Sequence, residues 1–377
     1  MTTQFSQHQV YRMISPDRVE SGAGKSKDIA KIVRRFGAER IVIATSNSVL
    51  TKTPHVDRLM KALDGLAYEV YSNCRQHSPE SDITNLLARL ETSDVQAVVS
   101  IGGSSVFDTV KVAVSRHADA TGQPVIPQIA IPTTLSAGEF TPGAGYTEEE
   151  TQTKKLVLDM RAAPRCVILD PEVTVGTPEE LWLSSGVKAL DHALEAVWAI
   201  KPHPYVDTLA LDAVRLLFKH LPSSRDTTNL EARAACQFGA WMSIAGVGAS
   251  GMRLSHFLGH QIGARLHIPH GITSCILLPS VMRYLRDRTL EPQCRIAAAM
   301  GIARDGRPDE DVADEAADKI EAFIRDLGLP DSIRAAGGNH DDIVAITESS
   351  YRAAIQLGLS DDLPLGAESI RQILLQI

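Results

Sequence analysis

The feature that most constrains this chain is an alternation of two periodicities, followed by the loss of one of them. In the first half, short β-branched runs end in turn signals: RIVIATS (40–46), YEVYS (68–72), AVVSIGG (97–103), QIAIPTT (128–134) and RCVILDP (165–171). Between them lie amphipathic stretches such as SDITNLLARLETS (81–93). Strands alternating with helices predict βαβ units and a parallel sheet. After about Pro178 the strand runs stop, and segments such as PEELWLSSGVKALDHALEAVW and YVDTLALDAVRLLFKHL read with helical period. The expected architecture is an α/β nucleotide-type domain over residues 1–177 and an all-helical domain over 178–377, with a cleft between. Ligands favour such junctions and the carboxyl ends of parallel strands.

A length of 377 residues allows two domains. A net charge of −8 argues against a general nucleic-acid or anionic-membrane surface, although a local cluster can still receive an anionic small molecule. The five cysteines are scattered and form no CxxC pair, so neither a disulfide framework nor a thiolate zinc site is suggested. MTTQFSQHQVYRMIS has no apolar core of signal-peptide length, and no apolar run is long enough to span a membrane. A cytoplasmic protein is the expectation.

Four of the chain's 12 histidines fall within SHFLGHQIGARLHIPH, Ser255 to His270. His256 and His260 are four residues apart and share one face of a helix. Pro269 disfavours helical geometry at Ile268, which puts His270 just past a helix end. Two imidazoles on one face and a third after a break can converge on one ion. The plain alternative is four ordinary half-buried or surface side chains. His267 fits the pattern least and is read as structural.

SIGGSSVFDTVKVAV (100–114) follows a strand and opens a helix. Gly102 and Gly103 allow backbone N–H groups to approach a ligand closely, and the helix presents its positive end. Ser104 and Ser105 can cap the helix and donate hydroxyl hydrogen bonds. The context suits a pyrophosphate, although it is not GxGxxG. A capped tight turn alone would read the same way.

Together these motifs resemble the iron-containing alcohol dehydrogenase family. Its GGGSxxDxxK turn reads GGSSVFDTVK here, with Gly102, Gly103, Ser105, Asp108 and Lys111 matching and Ser104 in place of a glycine. Its PTT…GSE segment reads IPTTLSAGEF, with Pro132, Thr133, Thr134, Gly138 and Glu139. GMDAxxHAxEA reads GVKALDHALEA, and HxxxHPLGxxxxxPHG reads HFLGHQIGARLHIPHG. The motifs keep family order over nearly the whole chain. The short span from Pro132 to Glu139 and the segment RMISPDRVESGAG look like maleylacetate reductases, whereas PHGITSCILLP looks more like the alcohol dehydrogenases.

The resemblance implies a Rossmann-like first domain, NAD or NADP as cofactor, a small-molecule substrate and a homodimer. It puts the pyrophosphate at Gly102, Gly103, Ser104 and Ser105, with Asp108 in the same motif. Thr133, Thr134 and Leu135 fall where the family's strand end approaches the nucleotide. Ser46, followed by Asn47, falls where many NAD-preferring members carry an aspartate. A serine there does not repel a 2′-phosphate, so NADPH is admitted.

Metal-dependent members use one aspartate and three histidines. His192, His256 and His270 match the histidines, but Lys188 stands at the aspartate position. A protonated lysine cannot ligate, and it repels a divalent ion. Asp191 is adjacent to His192 and points about 100° away on a helix, so it is read as a partner for a neighbouring helix or a basic residue. Either three histidines hold iron or zinc weakly while Lys188 swings away, or no metal binds and Lys188 takes the cationic role. Maleylacetate reductases, which work without the family's metal, favour the second reading.

The implied activity is hydride transfer from NAD(P)H to a carbonyl or an enol or oxo-acid substrate. Lys188, His192, His256 and His270 would stabilise charge on the substrate oxygen, and His260 would transfer the proton. Arg253 is a candidate for a substrate carboxylate. The rivals are a metal-dependent alcohol dehydrogenase or aldehyde reductase, an NAD-using lyase like dehydroquinate synthase, and a non-catalytic nucleotide-binding protein.

Overall fold

The structure is a computed structural model that describes residues 16–151, 153–199, 203–246, 254–356 and 366–377. The chain forms two compact units. Among the described residues, one contains 16–178 together with 226–237, and the other contains 179–225 and 238–377. The break after Pro178 is where strand periodicity ends in the sequence. The return of 226–237 to the first unit has no counterpart in periodicity.

The first unit is built on a six-stranded parallel sheet. Its strands are β1 (Arg18–Ser21), β2 (Arg40–Thr45), β3 (Ala67–Tyr71), β4 (Ala97–Gly102), β5 (Gln128–Pro132) and, after a hairpin, β8 (Cys166–Leu169). Their order is β1-β8-β5-β4-β2-β3. The five runs expected from the sequence are five of these strands. The four-residue edge strand β1 pairs only with β8, and no alternation announces it. The hairpin of β6 (Gly143–Glu148) and β7 (Thr153–Leu158) was also not anticipated.

Both sheet faces are covered. Ile41 and Ile43 point into one apolar cluster with helices α1 (Ile29–Arg35) and α3 (His55–Ala62). Val42 and Ala44 point into another with α4 (Glu80–Thr92) and α5 (Ser104–Thr121). That is why β2 reads as a continuous apolar run rather than an alternating one. Each fully buried isoleucine or valine contributes about 1.5–3 kcal/mol relative to exposure. The short helix α2 (Asn47–Lys52) follows β2. The chain leaves β2 for β3 on one side and reaches β4 on the other. The sheet's switch point therefore lies at the carboxyl ends of β2 and β4, where Ser46 and Gly103 follow.

The second unit is all-helical among its described residues. Its elements include α6 (Glu179–Val197), α7 (Pro204–His220), the end of α8 (Leu230–Ser243), α9 (Leu254–Leu266) and α10 (His270–Leu285). Every residue of α6 from Trp182 to Val197 is buried, so this is a central helix with no solvent face. Among the described residues no helix is long and apolar enough to cross a membrane.

Gly271 brings α10 against α6. A Cβ at Gly271 would stand 2.6 Å from the backbone carbonyl of Ser184. Gly271→Ala should therefore force the helices apart and cost about 1–3 kcal/mol. Urea denaturation measures this, and a loss under about 0.5 kcal/mol would mean that the helices repack freely.

Candidate active site

In the helical unit the chemistry-bearing side chains come from three helices. Lys188, Asp191, His192 and Glu195 lie on α6, Ser255, His256 and His260 on α9, and His270 and Ser274 on α10. Pro269 is the N-cap of α10, so His270 opens the next helix directly beyond the break. The four-residue spacing of His256 and His260 gives ring centroids 4.9 Å apart. His260 and His270 lie at 4.3 Å, with Nδ1 of the first and Nε2 of the second sharing a hydrogen bond of 3.2 Å. His192 is 5.6 Å from His256. Four histidines chosen from the sequence are thus one cluster. His267 is exposed, at a left-handed φ of 55°, in the link between the helices.

Lys188 is buried, and its Nζ lies 2.8 Å from Nδ1 of His256. Burial pushes the His256 imidazole well below its ordinary range, and the Lys188 cation adds to the shift. A lysine ammonium only donates, so Nδ1 of a neutral His256 accepts and its proton sits on Nε2. This bears on the ion the family usually carries. Coordination through Nε2 would move the proton to Nδ1, against the ammonium. Coordination through Nδ1 would need the place Nζ occupies. The donor set therefore does not fit an iron or zinc ion while Lys188 is charged and in this position. Among the described residues no three His, Cys, Asp or Glu side chains are gathered as a metal-binding group.

Asp191 lies three residues from Lys188. Its Oδ2 accepts from Ser274 Oγ (2.6 Å) and Ser255 Oγ (3.0 Å) and lies 3.4 Å from Lys188 Nζ. The angular argument that separates it from His192 turns it toward α9, α10 and the lysine. It ties both neighbouring helices to Lys188. Glu195 does a related job, because its Oε1 accepts the backbone N–H of Ser255 (2.8 Å) and of His256 (3.4 Å) in the first turn of α9. A carboxylate at that end satisfies free donors and suits the helix dipole. Sequence reasoning missed Glu195, Ser255 and Ser274. Glu195 sits in the quoted HALEA motif, but the two serines carry no signal of their own. Arg253 lies outside the described residues.

In the sheet unit, Gly102 ends β4 at φ 154°, where a Cβ would meet Val106 Cγ2 at 2.6 Å. Only glycine fits this position. Gly103 is extended, and a Cβ there would touch the Thr134 side chain at 3.3 Å. Ser104 donates to Ser136 Oγ (2.8 Å), which also shares a hydrogen bond with Thr134 Oγ1 (2.8 Å). Ser105 Oγ accepts from the backbone N–H of His77 (3.2 Å). Thr133 donates its N–H to Gly102 (2.9 Å), which joins the two strand ends. Asp108 accepts from Gly145 N (3.2 Å) and pairs with Lys111 (3.4 Å). Burial pushes its carboxyl up despite the lysine. Lys111 donates onward to the carbonyls of Gly138 (2.7 Å) and Gly143 (2.9 Å). Leu135 is fully buried and belongs to the core.

Beside the turn, at the ends of β2 and β3, is a pocket of about 620 Å³ lined by Ser46, Asn47, Asn73, Arg75, Gln76 and neighbouring polar residues. Ser46 caps α2, accepting from Val49 N at 3.3 Å. A glycine turn opening a helix, next to a polar pocket at a sheet switch point, fits a dinucleotide.

Comparisons with known proteins agree with this architecture. Residues 16–171 match the family description "Iron-containing alcohol dehydrogenase", and residues 182–376 match "Fe-containing alcohol dehydrogenase family, C-terminal". The chain is 31% identical to a maleylacetate reductase of Rhizobium sp. (strain MTP-10005) over 339 residues, 89% of each chain. It is 29% identical to the lactaldehyde reductase of Escherichia coli (strain K12) over 357 residues, 90% of this chain and 92% of the relative. The crystal structure of the Rhizobium maleylacetate reductase superposes with a TM-score of 0.83 at 28% identity, covering 98% of both chains. An alcohol dehydrogenase from Oenococcus oeni shares the fold, with a TM-score of 0.91 at 24% identity over 97% of this chain and 100% of that one. The chain belongs to the iron-containing alcohol dehydrogenase family and is an oxidoreductase.

Proposed function

We infer that this oxidoreductase transfers hydride from NAD(P)H to a carbonyl or an enol or oxo-acid substrate, in the manner of a maleylacetate reductase, and does so without the family's metal. The observation that carries this reading is Lys188 Nζ, 2.8 Å from His256 at the position of the family's aspartate ligand.

The cofactor, when bound, supplies the hydride. Gly102 and Gly103 admit its pyrophosphate to the backbone, with Ser104, Ser105, Thr133 and Thr134 around it. Asp108 ties the helix that follows the turn to β6 through Gly145, and Ser46 and Asn47 face the ribose. Lys188, pinned between Asp191 and His256, stabilises negative charge developing on the substrate oxygen. His192, His256 and His270 orient that oxygen. His260, bonded to His270, delivers the proton. The proposal includes a cytoplasmic homodimer, as the family resemblance implies; sedimentation tests the assembly.

The deciding assay is a panel of aldehydes, ketones and maleylacetate-type oxo acids with NADH and NADPH, run on protein whose metal content is measured in the same preparation. Turnover of an oxo acid that survives EDTA supports the reading. Activity lost on chelation and restored by iron or zinc rejects it in favour of a metal-dependent alcohol dehydrogenase.

Coenzyme use tests the place of Ser46. Ser46→Asp should lower kcat/KM for NADPH relative to NADH by about tenfold, through repulsion of the 2′-phosphate. An unmoved ratio would separate Ser46 from the ribose.

A further inference from the structure

We propose that Ser255 and Ser274 are positioning residues for Lys188. They hold the Asp191 carboxylate away from the ammonium, so that one N–H stays available to a substrate oxygen. This rests on the reading of Lys188 as the group that stabilises charge on the substrate, and it goes further by naming what keeps that donor free.

A lysine ammonium has three N–H donors. Among the described residues, those of Lys188 meet two acceptors: Nδ1 of His256 at 2.8 Å and Oδ2 of Asp191 at 3.4 Å. The third N–H has no acceptor there, although the side chain is only 5% exposed. A buried ammonium with an unused donor is unfavourable unless a ligand completes it. The contact to Asp191 is also long, since a charged amine and a carboxylate normally bond at about 2.7–2.9 Å. Reach does not explain the gap, because the two residues are three apart on one helix.

Two hydroxyls account for it. Ser274 Oγ on α10 donates to Oδ2 at 2.6 Å, and Ser255 Oγ on α9 donates to the same oxygen at 3.0 Å. Each oxygen of a carboxylate offers about two lone-pair sites, and the serines fill those of Oδ2. Oδ1 is buried and accepts no hydrogen bond among the described residues. The carboxylate therefore has acceptor capacity left, and what withholds it from the lysine is orientation, fixed from two helices. Ser255 is itself held, because Glu195 Oε1 accepts its backbone N–H at 2.8 Å. Asp191, Ser255 and Ser274 are all buried, so water does not compete for these bonds. The arrangement keeps a counter-charge close enough to favour the buried ammonium, yet leaves Nζ on His256 with a donor in hand.

Replacing both serines, Ser255→Ala with Ser274→Ala, should let Asp191 close on Lys188. A crystal structure of the variant should show Nζ and the carboxylate about 2.8 Å apart. With maleylacetate and NADH, kcat should fall at least about tenfold at nearly unchanged KM, the split expected when a donor used in the transition state is lost. Asp191→Asn separates positioning from packing. Without the anion nothing closes on the lysine, so removing the two hydroxyls in the Asp191→Asn background should change kcat by less than about twofold. An equal loss in both backgrounds would make the serines merely structural and overturn the proposal. So would a pair that stays apart, or one that closes with kcat intact. Unmodified protein that reduces no oxo acid would remove the reading of Lys188 and the substrate-facing N–H with it, while the crystal structure of the variant would still decide whether the serines hold Asp191 off.

Discussion

Lys188→Asp should convert a protein holding well under one equivalent of iron or zinc into one holding about one equivalent, by completing a set of three imidazoles and a carboxylate. The substitution changes the local formal charge by about two units, in the direction that favours a cation. It also removes the ammonium that holds Nδ1 of His256, so the imidazole is free to adopt the tautomer that coordination requires. Metal-free turnover should fall by about a hundredfold, the scale of losing one oxyanion donor. The variant places two carboxylates three residues apart on a buried helix, so its metal-stripped form should melt lower and recover on adding zinc. Metal analysis of the unmodified protein is the decisive control. A stoichiometric ion held by His192, His256 and His270 would end the metal-free reading.

Gly103→Val should weaken NAD(P)H binding by at least about tenfold, or ~1.4 kcal/mol. A Cβ at this position already meets the Thr134 side chain at 3.3 Å, and Thr134 shares its hydroxyl with Ser136, which in turn receives Ser104 Oγ. The added branches must push into that hydroxyl chain or stand in the phosphate's path. Quenching of nicotinamide fluorescence reads the affinity directly. Undiminished binding by a folded variant would move the pyrophosphate away from this turn.

The parallel sheet was legible because both of its faces are buried. Burial on both sides leaves short continuous runs such as IVIA and AVVSI that few other environments produce. β1 was not legible, because four residues at an edge carry no period. The hairpin escaped for a different reason. Gly143 and Gly145 interrupt any apolar alternation in β6, and β7 exposes Leu156 and Leu158 on its outward face. His256, His260 and His270 were legible from spacing, since a helical period and one proline set their phase, whereas His192 was reached only through the family resemblance.

By itself the sequence determined the residue types and their local phase: a strand feeding a glycine turn, His256 and His260 on one helical face, His270 beyond a break, and a lysine where relatives of this family carry a carboxylate. Only the tertiary structure decided what those groups touch. Helix phase turned Asp191 away from His192, and because α6 is buried from Trp182 to Val197, its side chains meet protein rather than solvent. Asp191 therefore found Ser255, Ser274 and Lys188, contacts separated by up to 83 residues in the chain. Local preferences act over a few residues, whereas hydrogen bonds and charge act through space, and the contacts that define these sites are of the second kind.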